Sequence, residues 1–86
     1  MKWIKTNWRG RSKSGKTDIY YVYAKDTSYL LGHIGWFAPW RKYCFTPDNA
    51  TVYEQDCLRD IAKFIQEKTE QHRQHREQLK RQKEQS

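Results

Sequence analysis

Little in this chain supplies the usual staples of a small fold. Its 86 residues hold two cysteines, two prolines and four glycines. Two thiols with no secretory leader ahead of them read as free cysteines in a reducing compartment. No apolar run approaches the ~18 residues of a membrane span. Residues 1–13, MKWIKTNWRGRSK, lack the apolar stretch of a signal peptide. The expectation is a cytoplasmic protein that meets no membrane. Asn49-Ala50-Thr51 matches a glycosylation sequon, which without secretion is a chance match. Hydrophobic residues make up 36% of the chain, and a domain of this size buries only about 60% of its unfolded surface. One small domain fits that length, with too little core to wall off a deep enzyme pocket.

Acids are also scarce, ten against 17 Lys and Arg, for a net charge of +7. The excess sits at the ends. Residues 1–18 carry +5, residues 19–67 carry −1 and residues 68–86 carry +3. A near-neutral middle between two basic segments suits a compact core with basic arms. Such a balance favours polyanionic or acidic partners.

The order of elements reads as four strands and a helix. Residues 3–9 form a short aromatic edge strand, and residues 10–16, rich in Gly, Ser and Lys, form a hairpin loop. Residues 19–25, IYYVYAK, are β-branched and aromatic, the strongest strand signal in the chain. Residues 29–37 continue the sheet, with Gly32 and Gly35 marking a bulge or a close backbone approach. Pro39 turns the chain into a strand over 41–46, and Pro47-Asp48-Asn49 turns it again. Then the period changes. Leu58, Ile61, Ala62 and Ile65, with Phe64 beside them, mark one face of a helix from about Glu54. Thr51 fits an N-cap of a capping box, and Thr51–Tyr53 also suits a short strand. Asp56, Asp60 and Glu67 fall on the solvated side. The fold class is α+β, an antiparallel β-meander of about four strands followed by one C-terminal helix. Residues 1–68 form the compact domain, and residues 69–86 a charged tail, helical or disordered, with Leu79 its one large apolar residue.

One helix, about 10 Å across, covers only part of one face of a four-stranded sheet. Residues 19–25 carry large groups on both faces: Ile19, Tyr21 and Tyr23 on one, Tyr20, Val22 and Ala24 on the other. Exposed aromatics on the sheet then imply a homodimer or a ligand surface, unless the N-terminal segment and tail fold over them.

Few motifs carry chemistry. Residues 10–17, GRSKSGKT, match the P-loop spacing, which needs a buried strand before the loop and a helix after it. Here basic residues precede and a strand follows, so a hairpin touching phosphate through Lys13 and Lys16 is the better reading. Cys44, Cys57, His72 and His75 lack the spacing of a zinc site. His33 in a strand faces solvent more readily than it serves as a base. No catalytic, metal or cofactor residues are assigned. The densest special cluster is Trp36, Trp40, Arg41 and Tyr43, whose aromatics and guanidinium suit base stacking or a protein hot spot. The competing reading is a core Trp capped by an Arg.

Leu31-Gly32, Ile34, Trp36, Trp40-Arg41, Tyr43, Phe45 and Pro47, then Thr51, Tyr53, Cys57-Leu58, Ile61 and Phe64-Ile65, resemble a group of small uncharacterised bacteriophage and prophage proteins. Their pattern runs LGxIxWxxxWRxYxFxP, then TxFxxxCLxxIxxFI, with Tyr53 standing here for the Phe. The resemblance covers about residues 30–65 and leaves out the basic N-terminus and the tail. It implies a phage or mobile-element origin and brings no catalytic residues with it. Small phage accessory proteins commonly bind nucleic acid or block a host defence factor.

Two functions follow as expectations. The first is a non-catalytic accessory protein that binds nucleic acid, with phosphates held by Lys2, Lys5, Arg9, Arg11, Lys13 and Lys16 and with Arg41 and Lys42 nearby. The second is an inhibitor of a host defence protein or ribonucleoprotein, such as an anti-CRISPR, anchored by Trp36, Trp40 and Tyr43. Basic charge favours the first, because mimicry of nucleic acid calls for an acidic surface.

Overall fold

A β-branched and aromatic first half and a Gln-, Lys- and Glu-rich second half divide the chain into sheet and helix. The computed structural model describes residues 2–85. Strands β1 (Ile4–Arg11), β2 (Asp18–Ala24), β3 (Leu30–Phe37) and β4 (Lys42–Pro47) form one antiparallel sheet in the order β1-β2-β3-β4, and helix α1 runs over Gln55–Gln85. The expected β-β-β-β-α meander forms, with strand ends within a residue or two of the sequence reading.

Alternation sets the two faces of the sheet. Ile4, Val22 and Ile34 are fully buried and point to the helix side, with Tyr20, Trp36, Tyr43 and Phe45 around them. The register pairs Thr6 with Val22, Tyr20 with Ile34 and Ile34 with Phe45, so the core rows run across all four strands. A bulge where β3 meets β2 shifts the register between Val22 and Tyr23. It turns Leu31 into the core, where it is 6% exposed, although its neighbour Gly32 is also buried. Gly32 itself is a close approach. A Cβ there would run into the Thr46 carbonyl oxygen and lie 2.8 Å from the Phe45 ring. Gly35 has open space around it.

The first loop differs in detail from expectation. Gly10 belongs to β1, at a bulge between Trp8 and Gly10 with φ 149°, rather than to the loop. The loop closes over residues 12–17: the Ser12 amide donates to the Thr17 carbonyl at 2.8 Å and the Gly15 amide to the Ser12 carbonyl at 2.9 Å. Gly15, at φ 72°, makes the turn possible. Those two amides are spent on the hairpin, and a strand follows directly.

At the helix start, Glu54 replaces Thr51 as the cap. The Glu54 carboxylate accepts from the amides of Asp56 and Cys57, and its carbonyl accepts from Leu58. Thr51 is too far upstream. Its hydroxyl donates to the Asp48 carbonyl and meets the Tyr53 hydroxyl, which donates to the Leu31 carbonyl. Residues 51–54 carry no strand.

The buried stripe of α1 is Cys57, Ile61 and Phe64, continued by half-buried Ile65 and Lys68, buried Thr69 and half-buried His72. It is rotated from the face expected in the sequence. Leu58 is 50% exposed and Ala62 is exposed, because Cys57 takes the contact position one residue earlier. Asp60 is not merely solvated either. Its Oδ2 accepts from the backbone amides of Trp3 at 2.8 Å and Lys2 at 3.2 Å, tying the chain ahead of β1 to the helix. The helix does not break at residue 68. Thr69 Oγ1 accepts from the Tyr43 amide at 3.1 Å, and the His72 ring sits 4.4 Å from Trp36. At 1.5 Å per residue, 31 residues span about 46 Å, far longer than any strand. The last turns therefore overhang the sheet, beside the β1–β2 loop.

Candidate functional site

The overhang brings the two basic ends of the chain together. An open groove of about 1360 Å³ lies between the β1–β2 loop and the second half of α1. Arg11 and Lys16 line it from the loop side. Lys68, His72, Arg76 and Lys80 line it from the helix. These four stand at i, i+4, i+8 and i+12, one ridge of a helix. Tyr20, Trp36 and Tyr43 lie between the two walls. At about 1360 Å³ the groove exceeds the usual volume of a small-molecule pocket.

Among the described residues, two acids line the groove, Asp18 and Glu77. Asp18 already serves the fold: its carboxylate sits 3.5 Å from Arg11 Nε and accepts from the Trp8 indole at 2.9 Å. Lys68 is drawn inward, with Nζ 5.3 Å from the Tyr20 ring and 5.4 Å from the Phe64 ring. Lys16, Arg76 and Lys80 are exposed, and among the described residues none of them makes an ion pair. Like charges held on facing walls repel, and an anion between them relieves that repulsion.

The floor of the groove is neutral. Burial, and then the Asp18 carboxylate, push the Tyr20 hydroxyl above its ordinary pKa. Burial pushes Tyr43 up as well. Burial, followed by the charges of Arg76 and His75, holds His72 below the usual imidazole range. His72 is thus an uncharged ring packed against Trp36 at neutral pH, the two rings tilted at 46°.

The residues singled out in the sequence are spread over several places. Arg11, Lys16 and Trp36 meet at the groove. Lys13 is exposed on the same loop. Lys5 and Arg9 lie on the sheet face away from the helix, over Tyr23 and Tyr21 respectively. Lys42 alternates to that same face. Lys2 sits at the start of the chain with its ammonium 5.8 Å from the Trp3 ring. Trp40 and Arg41 form the β3–β4 turn, where Arg41 has φ 53° and Trp40 is 67% exposed against Phe37 at 4.9 Å. Tyr43 does not join them. It is 4% exposed, its hydroxyl accepts from the Asp18 amide and its ring meets Trp36 edge-on at 5.5 Å. It is a core residue, with no ring face left for a partner. The Trp36–Tyr43 run is split because alternation sends 36 and 43 to the helix side while the turn carries 40 outward.

His72, Arg76 and Lys80 were not singled out in the sequence. Their spacing of four was legible, but in a tail with one large apolar residue it resembled any solvated charge pattern. The sequence puts Tyr21 and Tyr23 on one sheet face, where exposed aromatics imply a dimer or a ligand surface, without marking either as a binding residue. Cys44 and Cys57 are free thiols, and burial followed by the charges of Glu54 and Asp60 raises the Cys57 pKa. Among the described residues no group of three or more His, Cys, Asp or Glu side chains is placed to hold a metal ion. No described helix is long and apolar enough to cross a membrane.

Over 74 residues the chain is 32% identical to the "Uncharacterized 9.3 kDa protein" of Acholeplasma phage L2, a match that covers 86% of this chain and 90% of that protein. No protein-family model matches the chain. No solved structure is significantly similar to it.

Proposed function

This chain belongs to the same family as the 9.3 kDa protein of Acholeplasma phage L2, and on that premise we propose that it is a non-catalytic phage accessory protein that binds nucleic acid in the host cytoplasm. The observation that carries this reading is the groove. Two basic segments about 60 residues apart in sequence face each other across it. Among the described residues its acids are fewer than its cations, and one of them is held by Trp8 and Arg11. A repeating anion satisfies such a pair of walls better than a small one, because charges on both sides are neutralised along its length. Contacts of this kind fix the position of a phosphate backbone and carry no base sequence. Replacing Lys16, Arg76 and Lys80 together with Ala tests the reading. All three are exposed and outside the core, so the fold is kept. Binding of a labelled oligonucleotide by fluorescence anisotropy falls at least tenfold. Unchanged binding contradicts the assignment of the groove.

A second reading rests on a different observation. Trp40 and Phe37 form an exposed aromatic pair beside Arg41, the composition of a protein hot spot. An anti-defence protein that docks on a host defence factor through this turn would lose inhibition on Trp40→Ala while its oligonucleotide binding stayed intact.

A further inference from the structure

The face of the sheet that α1 leaves open has a chemistry of its own. Alternation places Lys5, Arg9, Tyr21, Tyr23, His33 and Lys42 on it, and no strand residue on that face is acidic. Tyr21 and Tyr23 stand next but one in the central strand β2, their rings 6.3 Å apart and at 81°. The Arg9 guanidinium lies 5.0 Å from the Tyr21 ring, and Lys5 Nζ lies 6.0 Å from the Tyr23 ring. Beside Tyr21 a depression of about 120 Å³ is lined by Leu30, His33, Thr46 and Asp48.

A tyrosine pair left half-buried on an open sheet costs apolar exposure and gains little for the fold. The cations at its edge argue against a second copy of the chain as the occupant, because two such faces would oppose like charge. The same cations favour a polyanion, and the ring faces favour a planar group. A duplex offers its phosphates but keeps its bases stacked inside. A single strand offers both at once.

We propose that the open face of the sheet is a stacking platform for single-stranded nucleic acid, with bases on Tyr21 and Tyr23 of β2 and phosphates on Lys5 and Arg9 of β1 and Lys42 of β4. The platform rests on the nucleic-acid reading given above and names its substrate class. It lies on the opposite side of the sheet from the groove, so its removal leaves the groove intact. The Arg9 guanidinium serves twice, as a phosphate donor and as a planar surface over Tyr21. The depression by His33 receives the edge of an unpaired base.

The test compares dT20, U20 and a 20-base-pair DNA duplex as anisotropy probes at one low salt concentration. The wild-type protein binds dT20 and U20 more tightly than the duplex. Tyr21→Ala with Tyr23→Ala weakens single-strand binding at least fivefold, and up to about 150-fold for each base unstacked, and leaves duplex binding unchanged. Tyr21→Phe with Tyr23→Phe keeps single-strand binding, because the ring and not the hydroxyl carries it. Photocrosslinking of 4-thiouridine-bearing U20 to the wild-type protein maps to Tyr21 or Tyr23, and not to Asp18 or Tyr20 of the groove, a readout independent of the stability of any variant. Wild-type binding of single strands with no response to the alanine pair, or a crosslink confined to the groove, overturns the platform and spares the groove. No binding of any probe overturns both.

Discussion

Thr69 is the residue that locks the second half of α1 to the sheet. It is 6% exposed, and its Oγ1 accepts from the backbone amide of Tyr43 in β4. Thr69→Val keeps the shape and removes the acceptor. Tyr43 is itself 4% exposed, so its amide is left without water or a new partner. An unsatisfied buried donor costs about 1–3 kcal/mol. A domain of this size has only ~5 kcal/mol or somewhat more in total. Each kcal/mol lowers Tm by about 4–8 °C in a chain of this length. Thr69→Ser restores the acceptor, loses only a methyl group and retains most of the stability. Urea denaturation followed by far-UV circular dichroism measures both variants. The decisive comparison is the order: wild type, then Ser, then Val. If Thr69→Val unfolds at the wild-type urea concentration, the helix is not anchored to β4 at this point. The wall of the groove is then not fixed in place.

Three further outcomes follow from named contacts. Ile61→Ala removes a buried branched side chain and costs roughly 2–5 kcal/mol, whereas Asp60→Ala loses two exposed hydrogen bonds and costs roughly 0.5–1.5 kcal/mol; equal urea midpoints for Asp60→Ala and wild type would show that the tie to Trp3 is idle. Gly32→Ala drives a Cβ into the Thr46 carbonyl oxygen and separates β3 from β4, lowering Tm and broadening amide signals of both strands in an NMR spectrum, while Gly35→Ala, with open space around it, leaves that pairing intact. His72 has a folded pKa below its unfolded value of about 6.5. The unfolded chain therefore binds more protons in the window just below pH 6.5, and stability falls as pH drops through it. His72→Gln flattens that part of the profile of unfolding free energy against pH, and an unchanged slope would contradict the burial of the ring against Trp36.

The sheet was legible because its signals are local. IYYVYAK alternates on both faces, and turn residues bound every strand, so four strands and their order followed without long-range information. The helix was legible as an element and less so as a surface. Cys57 and Leu58 are neighbours and both apolar, and only the packing against β4 decides that Cys57 turns inward. Asp60 and Thr69 are polar residues whose partners are backbone amides of Trp3 and Tyr43. No sequence pattern marks such a pairing across the fold. The groove was hidden for the same reason. Charge counting placed basic residues at both ends of the chain, but their juxtaposition depends on a helix that outruns the sheet on the side of the β1–β2 loop. Trp36 and Tyr43 resembled a binding cluster in sequence because core aromatics and recognition aromatics have the same composition. Burial separates them from Trp40.

The central claim is that facing cations in the groove bind a phosphate backbone, and its salt dependence tests that most directly. A single strand that engages Arg11, Lys16, Arg76 and Lys80 neutralises about four phosphates in the groove, which contribute roughly −3 to the slope of log K against log salt, and contacts to Lys5, Arg9 and Lys42 on the open face steepen it further. Titration of labelled dT20 with the full-length protein at several concentrations of NaCl gives that slope. Replacing Lys16, Arg76 and Lys80 with Ala reduces its magnitude by roughly 2. A slope near zero, a slope unchanged by the triple substitution, or no binding at the lowest salt contradicts the account.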